Sequence, residues 1–321
     1  MAKNKVQFQK GMSELQFVER FGTEEQCRAA LFSWRWPNGF RCPKCQGEVY
    51  SEITSRRLYQ CAACRRQVSL TAGTIFHASK LPLTQWFRAM YHLGQCKNGI
   101  SALELSRRLG VAYNTAWMLH HKLMQVMVQR EERTPLDGHV HLDDAYIGGA
   151  RSDGTTGRGA SGKTPFLAAV QIAGDGKPHR VKFSRVADFS QNSVRQWAGR
   201  HLAPGCRVHS DAWPGFAVLA AAGHAHSVTR TSAAGTGQTR KRAADNPTFR
   251  WLNTVLGNLK TSLRGTFHAI AAHYVPRYLA QAQYRFNRRY DLDAILPRLA
   301  NAAIQTQPWP LHRLIKAEFP A

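Results

Sequence analysis

The sequence predicts an α/β domain preceded by a small β-rich module and a helical segment. Three observations predict it. Two C-x2-C pairs lie between Cys42 and Cys64, a helical period runs from Pro82 to about Arg130, and the period changes to that of strands at His139.

Composition bounds the answer first. A chain of 321 residues suggests two or three domains, and 43% hydrophobic residues supply real cores. The formal net charge of +24 calls for an anionic partner, with nucleic acid ahead of an acidic membrane surface. No amphipathic basic helix reads as surface-bound. No stretch is apolar for the 18 or more residues that a membrane span needs. The N-terminus, MAKNKVQFQKGMSEL, lacks the apolar core of a signal peptide, so a cytoplasmic protein without a membrane partner is expected. Seven cysteines in such a chain suggest metal or catalysis before disulfides.

Residues 1–41 read as a helical lead-in. Ser13 to Phe21 and Glu24 to Trp34 form its helices, ended by Trp36-Pro37-Asn38-Gly39. Residues 42–80 form the β-rich module. Cys42-Pro43-Lys44-Cys45 and Cys61-Ala62-Ala63-Cys64 give the spacing C-x2-C-x15-C-x2-C of a zinc ribbon. Four thiolates close the tetrahedron, so Zn2+ is structural, and it supplies folding energy that so small a module lacks. A redox role would need one pair, and two are present. Cys27, Cys96 and Cys206 are isolated and read as ordinary buried thiols. Arg56, Arg57, Arg65 and Arg66, with Arg41, Lys44, Tyr50 and Tyr59 interleaved, suit phosphate contact with some base stacking.

Residues 81–130 read as a helix-turn-helix. Ala102, Leu105 and Leu109 share one helical face, Gly110 makes the turn, and a second helix begins at Tyr113. Tyr113, Asn114, His120 and Lys122 are its groove-facing candidates, with Trp117 packed inward. Any small helical bundle can give this pattern, and the charge and the ribbon favour DNA. Gln129 to Asp137, charged and containing Pro135, reads as a linker.

Residues 137–295 carry the α/β domain, followed by a tail over 296–321. Strands are predicted from His139 to Ile147, Phe166 to Ala173, His179 to Val186 and Cys206 to Asp211, with a helix over 189–201 before the last of these. Helices over Thr248–Leu263 and His273–Phe286 follow a polar loop. Asp143 in the first strand and Asp211 at the end of the fourth stand out. An acid in an apolar strand is costly unless it is paired or holds a metal. Two acids on adjacent strands can hold paired Mg2+ or Mn2+ for attack on a phosphodiester. Turn or capping aspartates are the plainer reading. Gly157 to Thr164 matches the phosphate-loop pattern G-x4-G-K-T, but Pro165 to Ile172 reads as a strand where that motif needs a helix. No nucleotide cofactor is therefore expected. Arg158 and Lys163 are assigned to DNA phosphates instead.

With these residues in place, the chain resembles zinc-ribbon insertion-sequence transposases of the Asp-Asp-Glu type. Leu142 to Gly149 resembles their first motif, Ser210 to Trp213 their second, and Asn253 to Lys260 with Gly265 to His268 their third. Tyr284 to Arg289 resembles their C-terminal signature, and Gly73-Thr74-Ile75-Phe76 also fits. The resemblance spans roughly residues 15–295. It implies an RNase H-like catalytic fold, binding of terminal inverted repeats, and metal-dependent strand cleavage and transfer. It also implies a prokaryotic, nucleoid-associated protein that assembles as a homo-oligomer on double-stranded DNA to synapse element ends and target.

The third motif departs from the usual pattern. The family's glutamate is missing, and Leu256 stands at the position aligned to it. A branch of the family uses asparagine with a lysine seven residues on, which Asn253 and Lys260 match, with Asn258 ranked second. The resemblance thus implies Asp143, Asp211 and Asn253 as metal ligands, with Lys260 on a DNA phosphate. An amide oxygen can ligate magnesium but brings no charge. The alternative from another class is a DNA-binding regulator that has lost catalysis, and a third reading is a nuclease without transfer activity.

Overall fold

Two capping boxes open the first two helices. The computed structural model describes residues 10–148, 163–229 and 247–317. Ser13 and Thr23 each accept the backbone N–H three residues on, and Gln16 and Gln26 return the bond, which opens α1 (Glu14–Phe21) and α2 (Glu24–Arg35). A small antiparallel sheet follows, of β1 (Tyr50–Ile53), β2 (Leu58–Cys61) and β3 (Gln67–Ser69) in that order. Then come α3 (Leu83–Gln95), α4 (Ala102–Leu109) and α5 (Tyr113–Glu132). Ser101 caps α4, and Gly110 ends it at φ 65°, a left-handed turn that glycine adopts without strain.

The second half alternates strands and helices. Its elements are β4 (His139–Ile147), β5 (Thr164–Ile172), β6 (Pro178–Arg185), α6 (Gln191–His201), β7 (Arg207–Asp211), α7 (Val218–Ala221), β8 (Ala225–Thr229), α8 (Arg250–Phe267) and α9 (Val275–Phe286). The chain closes with α10 (Ile295–Ile304) and α11 (Leu311–Lys316).

These elements form two compact units. One comprises the chain up to Met127 together with Arg288 onward, and the other is Val128–Asn287. The first boundary falls inside α5, which runs through part of the stretch read as a linker. The second falls before α10, so the residues read as the end of the α/β domain and its tail divide differently. Packing gives the reason. The Ile75 N–H donates to the Ala303 carbonyl, and the Gln95 amide to the Leu292 carbonyl. A Cβ on Gly94 would stand 2.6 Å from Ile295 Cγ2, so only a glycine lets that chain approach.

In the Val128–Asn287 unit the sheet order is β6-β5-β4-β7-β8. β4, β5 and β6 are antiparallel neighbours, β7 runs parallel to β4, and β8 parallel to β7. The sheet is buried on both faces. Val140, Leu142, Leu167 and Val208 pack with Val194, Trp197 and Ala198 of α6. Ala145, Phe166, Ala168 and Val170 pack with Leu252, Val255, Leu256 and Leu259 of α8. Strand alternation therefore puts residues 139, 141, 143 and 145 on the α8 side. The segment after Lys163 is a strand, as its short apolar run indicated. β8 was not read from the sequence. Its residues are mostly exposed at a sheet edge and carry no apolar alternation.

Candidate metal centres

The cysteine centre is built from two matching knuckles. The Gln46 N–H donates to the Cys42 carbonyl and the Arg65 N–H to the Cys61 carbonyl, each at 3.0 Å. Gln46 and Arg65, each just after the second cysteine of its pair, turn through the left-handed region at φ 61° and 59°. This repeated turn aims both sulfurs of a pair the same way. The four Sγ atoms of Cys42, Cys45, Cys61 and Cys64 lie within 4.8 Å of one another. Sγ–Sγ distances of 3.6 Å (Cys42–Cys64) and 3.5 Å (Cys45–Cys61) suit thiolates sharing one tetrahedral ion. The backbone N–H groups of Cys45 and then Lys44 pull the Cys42 thiol down to about 6, while the neighbouring Cys64 and Cys61 thiols push Cys45 up to about 12. Cys27 is different, since burial and then Glu24 push its thiol up to about 12. Cys27 and Cys206 are buried, whereas Cys96 is half-buried.

The carboxylate centre lies where β4 and β7 run side by side. Their parallel register pairs His141 with His209 and Leu142 with Ser210, so Asp143 and Asp211 come next on each strand. One carboxylate oxygen each from Asp143, Asp144 and Asp211 lies within 4.8 Å of the others. Asp143 Oδ1 accepts the Asp144 N–H at 2.9 Å, and Asp211 Oδ1 accepts the Trp213 N–H at 3.0 Å. Asp211 thus does play the turn-capping part that the plainer reading gave it. Such a hard, partly exposed oxygen set fits Mg2+ or Mn2+. Two residues earlier on each strand, His141 and His209 face each other with ring centroids 5.8 Å apart. Burial holds His141 down to about 4 and also lowers His209.

The third motif enters from the same side of the sheet. Phe249, the residue before α8, lies 5.9 Å from His141 and 5.3 Å from His209, ring to ring. α8 buries Leu252, Val255, Leu256, Leu259 and Leu263. Leu256, aligned to the missing acid, is a core residue. Asn253 and Lys260 lie two turns apart on one flank beside that buried stripe, Asn253 exposed and Lys260 half-buried. Asn258 is also exposed. The sequence did not single out Asp144 as a ligand, although its place beside Asp143 was visible.

The DNA-contact candidates divide sharply. Arg56, Arg57, Arg65 and Arg66 are exposed, as are Tyr113 and Asn114 in the first turn of α5. Lys163 is half-buried, and Arg158 lies outside the described residues. Lys122 does not face a groove. It is buried, its ammonium sits 5.8 Å from the centre of the Trp86 ring, and burial lowers its pKa. The reason is that every α5 residue from Leu119 to Val128 is buried, His120 included. Tyr59 is likewise a core residue, packed against Phe32, Trp36 and Tyr50. It is not a stacking platform for a base.

Comparison with known proteins matches this layout. Residues 135–287 match the ISXO2-like transposase domain, and residues 22–67 match the transposase zinc-ribbon domain. Over 133 residues, 40% of this chain, the sequence is 28% identical to an uncharacterized protein in transposable element ISH50 of Halobacterium salinarum (strain ATCC 700922 / JCM 11081 / NRC-1). That match spans 44% of the relative's length, under half of it. Two stretches of the chain thus match transposase domains, and all four cysteines of the cluster lie inside the ribbon match. No helix among the described residues is long and apolar enough to cross a membrane.

Proposed function

We propose that the protein is a DNA transposase that binds the terminal inverted repeats of an insertion sequence and carries out metal-dependent strand cleavage and strand transfer. The observation that carries this reading is the placement of Asp143 and Asp211 side by side on neighbouring parallel strands, on the face that α8 covers. The sheet order, with an antiparallel β6-β5-β4 meander and two parallel strands beyond it, supports the RNase H-like fold.

Asp143 and Asp211 hold the divalent cations, and the Asn253 amide oxygen completes their set from α8. When bound, such cations supply charge neutralisation at the attacked phosphate and activation of the attacking water or 3′-hydroxyl. Lys260, two turns from Asn253 on the same flank, holds a DNA phosphate. The ribbon arginines and the exposed start of α5 grip the element end, α4 and α5 serving as a helix-turn-helix. Zn2+ keeps the ribbon folded and takes no part in chemistry. Double-stranded DNA is the partner, and several copies synapse two ends with the target, without a nucleotide cofactor. A prokaryotic nucleoid is the setting.

The experiment combines purified protein, Mg2+ or Mn2+, a labelled terminal-repeat duplex and a target plasmid. Joined product supports the transposase. Cutting without joining indicates a nuclease, and binding alone indicates a regulator that has lost catalysis. The absence of any acid from α8 gives that last outcome its specific support.

A further inference from the structure

The three-carboxylate cluster contains one acid more than the proposed cation site uses. We propose that Asp144 supplies the third carboxylate of that site, in place of the acid that α8 lacks. The inference rests on the reading of Asp143 and Asp211 as cation ligands.

Strand alternation alone would send Asp144 to the α6 side, away from Asp143. The sheet explains why its carboxylate nevertheless reaches the others. The β4–β7 ladder has its last pair at Leu142 and Ser210, and the chain leaves β7 after Asp211 into the Trp213 turn. From Asp144 onward, β7 therefore does not cover that edge of β4. A side chain can bend round the edge there, and the Asp144 carboxylate lies within 4.8 Å of both Asp143 and Asp211. Asp143 Oδ1 takes the Asp144 backbone N–H at 2.9 Å, which fixes the two residues against each other.

Charge gives the second reason. Two divalent ions bring four positive charges, and Asp143 with Asp211 return two. Asn253 adds an oxygen and no charge. With Asp144 the site regains three negative charges, the number that three acids would supply. A divalent ion placed among the three carboxylates would be attracted by all of them. One carboxylate oxygen from each of the three acids, carried on two strands, lies within 4.8 Å of the others.

The test is Mn2+ binding to the full-length, zinc-loaded protein, followed by electron paramagnetic resonance and calorimetry. Wild type is compared with Asp143→Asn, Asp144→Asn and Asp144→Glu, with circular dichroism reporting the fold. Asp144→Asn should weaken Mn2+ binding by at least roughly tenfold, the lower end of what losing a supporting group at a metal site costs. Asp144→Glu should keep most of the affinity. If Asp144→Asn binds Mn2+ like wild type while Asp143→Asn does not, the third-carboxylate assignment is overturned and the two-aspartate site stands. If neither substitution alters Mn2+ binding, the cation site itself is overturned.

Discussion

The Asn287 side chain pairs with Val181 as a neighbouring strand would. Its Oδ1 accepts the Val181 N–H at 2.8 Å, and its Nδ2 donates to the Val181 carbonyl at 3.1 Å. One helical turn earlier, Gln283 Oε1 accepts the Phe183 N–H at 2.8 Å. Both amides donate to Glu131 Oε2, at 2.7 Å from Asn287 and 3.0 Å from Gln283. The outer edge of β6 is thus closed by side chains, and a buried carboxylate holds those side chains in place.

That network makes Asn287 a stability residue. Asn287→Ala strands the Val181 N–H and removes one donor from Glu131, which should cost about 1–3 kcal/mol. Asn287→Asp should cost more, because it sets a second carboxylate against Glu131. Urea unfolding of the Val128–Asn287 unit measures both. An unchanged midpoint for Asn287→Ala would show that the edge is closed by something else.

The motif around Asn287 also shows how much was legible in the sequence. Tyr284 to Arg289 was visible as a signature, but its purpose was not. The amide partners lie about 100 residues away on β6, and no local pattern reports them. The knuckles were fully legible because a four-residue spacing fixes their geometry. Asp143 and Asp211 stood out as acids next to apolar strands, while Asp144 did not, because its approach depends on where β7 stops. Lys122 misled because α5 begins exposed and becomes buried on every side, so helical position alone assigned it to solvent. The return of α10 to the N-terminal unit depends on Gly94 admitting Ile295, a long-range fit that composition does not encode.

Zinc should be stoichiometric with the four-cysteine set. Cys42→Ser should lower metal content, loosen the ribbon and impair end binding, because the metal supplies the module's folding energy. Cys27→Ser should leave zinc content unchanged. Metal analysis and proteolysis of the ribbon check both, and a normal zinc content in Cys42→Ser would contradict the assignment.

Lys122→Met should bind terminal-repeat DNA as wild type does, since its ammonium is buried against Trp86. Asn114→Ala and Tyr113→Ala should weaken binding, by about 1–3 kcal/mol if they contact base edges. Binding titrations at several salt concentrations separate these cases. A phosphate contact at Lys122 would instead lower the salt slope by about one.

Acid should loosen the α/β unit through His201. Burial, and then the charges of Lys182 and Arg200, hold this residue down to about 3, and its Nε2 lies 3.2 Å from Ser184 Oγ. The folded value is below the ordinary 6.5, so between about 6.5 and 3 the unfolded chain holds more protons. Stability should therefore fall as pH drops through that window, by about 1.4 kcal/mol for each pKa unit of difference. His201→Gln should flatten this limb in thermal melts across the window. An unchanged slope would remove His201 as its source.

The most direct measurement compares wild type and Asp143→Ala for strand joining and for end binding in the same preparation. Loss of joining with end binding retained is the predicted result, because the proposed function puts the cations at Asp143 and the grip on DNA at the ribbon and α5. Joining that survives Asp143→Ala would contradict the assignment of the β4–β7 carboxylates as the catalytic site.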